Sequence, residues 1–246
     1  MSTESSRRAF LGVGVSAAGA LLLPGCTSVL PPTYGSLFSL GDTMSFAAHR
    51  LLLPRMALAP EFDRRQISAF PAINTVDPED ETYQRHRAGH FAEWRLPVEG
   101  LVATPLALSL DDLKRFPART QVTQHNCERG WSAIGEWTGV ILGRVLEAAG
   151  IKAEARYVVF HCYDRLWDSI DLVDAFHPQT LLAYGMNGSE VPVPHGAPIR
   201  LRVERQLGYK NLKFIRQVTV VDRLDRIGKG KGSLAVEFGY SWYAGI

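Results

Sequence analysis

The stretch Thr120-Gln121-Val122-Thr123-Gln124-His125-Asn126-Cys127-Glu128-Arg129-Gly130-Trp131 sets the architecture around which the rest of the chain is read. Thr120–Gln124 alternates in polarity and predicts a strand running toward Cys127, with Gly130 as the turn residue after it. Side chains at such a strand end are presented to a pocket. A thiolate there serves as a nucleophile or a soft-metal ligand. Three plainer roles stand beside that one: a small buried hydrophobe, a disulfide with Cys162, or zinc held by His125, Cys127, His161 and Cys162. Against zinc, the strand neighbours His161 and Cys162 point to opposite faces.

Outward from this stretch the chain reads as many strands with few helices. Arg95–Val102 predicts strands broken by a Gly turn, Arg156–Phe160 a strand, and Val218–Val221 a last core strand. Asn187-Gly188 between apolar runs signals a hairpin. Ile199-Arg200-Leu201-Arg202-Val203 alternates apolar and basic residues, the pattern of a strand with a solvated basic face. Ser109 predicts a helix N-cap, and Thr138 predicts the cap of a helix over 139–149 that Gly150 ends. Ile141, Leu142, Val145, Leu146 and Ala149 share one face of it. Without a regular βαβ rhythm, the fold class is α+β, with mixed β-sheets and interspersed helices.

The 246 residues are 46% hydrophobic and 21% charged, which excludes a disordered chain. A formal charge of +2 leaves no basic excess for a nucleic-acid partner. Ser6-Arg7-Arg8-Ala9-Phe10-Leu11 has a twin-arginine pattern, and the apolar run Phe10–Leu23 follows. Its length as a helix is about 21 Å, shorter than a bilayer's apolar core, so residues 1–26 read as an export signal. Leu23-Pro24-Gly25-Cys26 resembles a lipobox, so Cys26 is a candidate for a lipid anchor to the membrane. Gly12-Val13-Gly14-Val15-Ser16-Ala17 matches a dinucleotide fingerprint, but no strand precedes it and it lies inside the signal. Residues 27–45 read as a tether rich in Ser, Thr, Gly and Pro, and 46–246 as the folded body, its first part (46–93) loops and short helices. The expected location is the periplasm or envelope. Folded export also hints at a cofactor loaded before crossing.

Cys26, Cys127 and Cys162 form no C-x-x-C, so no c-type haem attachment is present. His86 and His90 are spaced for one helical face but lack a metalloprotease frame, and they receive no role. His195-Gly196-Ala197-Pro198-Ile199-Arg200 and Gly208-Tyr209-Lys210-Asn211-Leu212-Lys213 combine loop glycines with cations, a combination suited to a phosphate.

Together these stretches resemble the sulfite oxidase superfamily of molybdopterin enzymes, over about residue 46 to Ile246. The resemblance is carried in order by Cys127 before Trp131, Glu136-Trp137-Thr138-Gly139-Val140, Ala183-Tyr184-Gly185-Met186-Asn187-Gly188, His195-Gly196-Ala197-Pro198 and Gly208-Tyr209-Lys210. It points to the exported single-domain branch that includes methionine sulfoxide reductase catalytic subunits. It implies a sulfite-oxidase-like molybdopterin-binding domain in which Cys127 is the protein ligand of molybdenum. His195 and Arg200 would lie beside the pterin, with Lys210, Asn211, Leu212 and Lys213 at its phosphate. Asn74 would touch the cofactor, and Cys162 would line it where that branch has a threonine. Arg129, with Glu128, Trp131 and Tyr209, is a candidate to meet substrate.

The implied activity is two-electron oxygen-atom transfer to or from a small molecule, either sulfoxide reduction or sulfite-type oxidation. An external electron partner such as a haem protein completes it. The arginine pattern with which sulfite oxidases hold their anion is not clearly reproduced, and the 162–168 loop is short. The absence of a dimerisation domain implies a monomer. Two readings of other classes stand beside this one: a surface lipoprotein that binds a ligand without redox chemistry, and a zinc hydrolase using His125 and Cys127.

Overall fold

The computed structural model describes residues 31–32 and 37–246. The export signal and lipobox, residues 1–26, lie outside the described residues. Two five-stranded sheets make the body. The first has the order β2-β1-β10-β5-β6, from Leu106–Leu108, Leu96–Gly100, Ile215–Val221, Tyr157–Cys162 and Trp167–Asp171. The second runs β3-β4-β7-β8, from Ala118–Asn126, Ser132–Ile141, Leu181–Met186 and Ser189–Glu190, and β9 (Arg200–Arg202) also pairs with β7. Among the strand pairs of the described residues, only β1 with β10 is parallel. Among the described residues the α-helices are α1 (Leu37–Leu52), α2 (Glu81–Ala88), α3 (Leu110–Arg115), α4 (Leu142–Ala149) and α5 (Leu172–Ala175). No helix among the described residues is long and apolar enough to cross a membrane.

The local signals that held are those in which one residue's chemistry decides the backbone. Ser109 caps α3, with its hydroxyl accepting from the Asp112 amide. Gly150 ends α4 in the left-handed region. Asn187 and Gly188, at φ 50° and 81°, make the two-residue turn between Met186 and Ser189. The main core packs Leu142, Val145, Leu146 and Ala149 of α4 with Val158, Phe160, Val218 and Val220 of the first sheet.

Three expectations need correction. The tether expected over 27–45 is helical from Leu37, because Phe46 and Arg50 of α1 dock on the body. Arg50 binds Asp171 at 2.7 Å and Asp174 at 3.0 Å, while Phe46 meets Tyr243 edge-on. Thr138 caps no helix: Trp137–Ile141 belongs to β4, paired on both sides, and the Thr138 hydroxyl lies 2.8 Å from that of Thr120 across the strands. Pairing with two strands outweighs a local capping signal. The basic face of β9 is not solvated. Arg200 and Arg202 are both buried, because the second sheet, Trp137 and the carboxylate of Glu204 enclose them.

Candidate active site

Strand β3 ends at Asn126, and the next four residues turn tightly. The Cys127 amide donates to Trp131 O at 2.9 Å, the Gly130 amide to Cys127 O at 3.0 Å, and Gly130 has φ 85°. That turn holds Cys127 in the wall of a cleft with about 560 Å³ of free space, open to solvent. Cys127 and Cys162 are both buried free thiols, so the disulfide is not formed. Burial raises the Cys127 pKa, and the neighbouring Glu128 carboxylate adds to the shift. The thiol is therefore protonated at neutral pH by itself, and only a bound cation would hold it as thiolate.

Seven of the ten expected residues line this cleft: Asn74, Cys127, His195, Arg200, Asn211, Leu212 and Lys213. Asn74 arrives on a segment pinned to β4, where Ser68 and Ile134 exchange bonds of 3.0 Å. Lys213 ties that segment down by donating to the carbonyls of Ile73, Thr75 and Pro194. Burial, then the Arg200 charge, brings its pKa down to about 8. Gly196, at φ 110°, lets the His195 turn approach closely: a Cβ there would lie 2.8 Å from Lys213 Cβ. His195 is kept neutral by burial and by the charges of Arg200 and Lys213.

Arg200 donates to His195 O at 3.0 Å and to Asn211 O at 3.1 Å, and its guanidinium lies 4.8 Å from the Trp137 ring centre. Its buried Nε has no partner, and desolvation brings its pKa down to about 9. Among the described residues, no protein acceptor meets the backbone amides of Leu212 and Lys213. A buried guanidinium with one unpartnered nitrogen, the loop that carries the Leu212 and Lys213 amides, and a soft sulfur around one cleft fit an anionic, metal-bearing cofactor.

Three expected residues stand elsewhere. Cys162, on β5, belongs to the main hydrophobic core and does not line the cleft. Lys210 turns inward, its ammonium 2.6 Å from Asp168, so it does not reach the cleft. Arg129 is exposed and lines an adjoining groove. No group of three His, Cys, Asp or Glu side chains is placed to hold a metal among the described residues. His161 and Cys162 belong to the first sheet, whereas His125 lies in the second and Cys127 directly after its strand β3, which separates the zinc quartet. Asn211 is tied structurally, its Oδ1 accepting from the Val203 amide at 2.7 Å.

Sequence reasoning missed Phe70, whose ring lies 5.2 Å from His125, 5.4 Å from Trp137 and 5.7 Å from His195. No local pattern marks it, since its partners come from three distant segments. His125, weighed only as a zinc ligand, also lines the cleft.

A cysteine-bearing cleft with cationic loops, at the end of an antiparallel strand pair, defines a molybdopterin-binding oxidoreductase. Residues 84–226 match the family described as the oxidoreductase molybdopterin binding domain, and the chain belongs to it. The protein is therefore an oxidoreductase dependent on the molybdenum–molybdopterin cofactor. It is 34% identical, over 98% of its own length and 88% of the relative's, to an Azospira oryzae protein named provisionally as protein-methionine-sulfoxide reductase subunit YedZ1. It is 32% identical to the Campylobacter jejuni protein-methionine-sulfoxide reductase catalytic subunit MsrP, over 51% of this chain and 48% of that one. Among solved structures it resembles the sulfane dehydrogenase SoxCD of Paracoccus pantotrophus, at a TM-score of 0.51 and 26% identity, covering 53% of this chain and 39% of that one.

Proposed function

We propose that this chain reduces sulfoxides in the cell envelope, with Cys127 as the protein ligand of molybdenum. The observation that carries the reading is the placement of the Cys127 thiol in one cleft with Arg200, His195 and Lys213. When bound, the cofactor supplies two-electron oxygen-atom transfer. The chain's own residues bind and orient it. Cys127 offers the sulfur, the Arg200 guanidinium and the Leu212–Lys213 amides offer donors to an anionic group, and Asn74 lines the same cleft. Phe70, Trp131 and Trp137 exclude water around His125 and His195. Twin-arginine export, a lipid anchor at Cys26 and a monomeric state belong to the same reading. So does an external electron donor such as a haem protein, since the chain lacks C-x-x-C.

The reductive direction draws support from the relatives named as sulfoxide reductases and from the weak arginine pattern for an anionic substrate. The test measures molybdenum and pterin per chain in protein expressed with its signal. The same preparation is assayed with sulfoxides, N-oxides and sulfite. Wild type carries about one molybdenum per chain and Cys127→Ser carries little; equal metal in both sinks the ligand assignment. Sulfite oxidation without sulfoxide reduction sinks the direction.

A further inference from the structure

A second groove opens beside the cofactor cleft and shares Asn74, Glu128, Leu166, Tyr209 and Leu212 with it. Its outer wall is Trp167, Leu234, Ala235, Phe238 and Tyr240, and about 1070 Å³ of space lies in it and in the solvent at its mouth. Most of that wall comes from residues after 226, beyond the part matching the family. The wall is held firmly from below. Ser169 Oγ donates to Gly232 O and accepts from Trp242 Nε1. Gly228 approaches the Trp167 ring so closely that a Cβ would lie 2.1 Å from it. The Tyr209 hydroxyl donates to Ser241 O at 2.7 Å, and its ring stacks on Tyr240 at 5.0 Å. Yet Phe238, at the end of the 3-10 turn Ala235–Phe238, is 69% exposed and Tyr240 is 37% exposed.

The charges on this groove are few. Asp168 is paired with Lys210, which leaves Glu128 and Arg129 of the Cys127 turn at the junction with the cleft. Large apolar side chains held open beside a reaction centre exist to receive an apolar group.

We propose that this groove is the subsite for the apolar arm of the substrate, and that the preferred substrates are neutral sulfoxides carrying an aryl or branched alkyl group. The inference rests on the sulfoxide-reductase reading and names the substrate class for it. The reaction is R2S=O plus two electrons and two protons giving R2S and water. The S=O bond breaks, and the electrons come from a reduced viologen in the assay. The arm lies against Phe238 and Tyr240 while the sulfoxide oxygen points into the cleft past Glu128. Such apolar contact is worth on the order of tenfold in kcat/KM.

The experiment compares methyl p-tolyl sulfoxide with dimethyl sulfoxide in wild type, Phe238→Ala, Tyr240→Ala and Phe238→Leu holoenzyme, with molybdenum content and melting temperature checked for each. The aryl-over-dimethyl ratio of kcat/KM is expected to fall about fivefold in Phe238→Ala, mostly through KM, and to recover in Phe238→Leu. An unchanged ratio in both alanine variants, each loaded with molybdenum, overturns the subsite and leaves the sulfoxide-reductase reading standing. Loaded wild type that reduces neither sulfoxide overturns that reading, and the subsite with it.

Discussion

Arg202 donates from Nη1 to Nδ1 of His125 across 3.0 Å, so the proton of this buried imidazole sits on Nε2, the nitrogen beside Gly208. Both Nε and Nη2 of Arg202 bind Glu204, at 2.9 and 2.6 Å, which holds the guanidinium in place. Desolvation, then the charges of Arg202 and Arg200, push the His125 pKa down to about 2. A depressed folded-state pKa gives stability that is complete above the unfolded value of about 6.5 and is lost as pH falls below it, at about 1.4 kcal/mol per pH unit. Asp171, raised to about 6 by burial and by Asp174, acts with the opposite sign below that pH. Urea unfolding at pH 7 and pH 5.5 therefore shows a smaller loss of stability for His125→Gln than for wild type. Equal losses contradict the neutral imidazole.

Removing the cationic side chain of Arg200 separates stability from function. It is buried, its charge faces no carboxylate directly, and its Nε is unpartnered. Removing this uncompensated buried charge offsets the loss of its bonds to His195 O and Asn211 O. Arg200→Met is expected to leave the cofactor-free protein within about 1 kcal/mol of wild type, or above it. Its molybdenum occupancy after expression falls at least about tenfold. Denaturant unfolding of protein from a cofactor-deficient host, set against metal analysis from a competent one, checks both halves.

The buried pair Lys210–Asp168 anchors the loop that carries Asn211, Leu212 and Lys213 into the cleft. The ammonium also donates to Ser169 O at 3.1 Å and lies 5.2 Å from the Trp242 ring centre. Breaking one side of such a pair strands the other charge and costs about 3–5 kcal/mol. Lys210→Met is expected to lower unfolding free energy by that amount, and Lys210→Met with Asp168→Leu to recover part of it. A single variant within 1 kcal/mol of wild type in a urea titration rejects the anchoring role.

Gly139 marks where β4 and β7 shift register. A Cβ there would lie 2.3 Å from Leu182 O and 2.6 Å from Ala183 Cα, both backbone atoms that cannot turn aside. Gly139→Ala therefore displaces the strand that backs Trp137 and Arg200, with an expected loss of about 2 kcal/mol or more. Thermal melting of the variant, and its retention of cofactor, read the effect.

The amino-acid sequence alone determined those features that depend on one residue or a short pattern. The Asn187-Gly188 hairpin, the Ser109 cap, the Gly150 stop and the strand leading to Cys127 follow from turn chemistry and alternation, which act within a few residues. The ordered motifs around Cys127, His195 and Gly208 likewise marked the family and most of the cleft. Tertiary structure alone decided where the long polar side chains go. Lys210 looks like a phosphate ligand in its own segment, but its partner Asp168 lies 42 residues away and draws it inward. Thr138 could cap a helix until β3 and β7 claim its backbone, and Phe70 reaches the cleft only because separate strands surround it. Burial and pairing across the chain set the direction of a side chain, and neither is encoded by its neighbours in sequence.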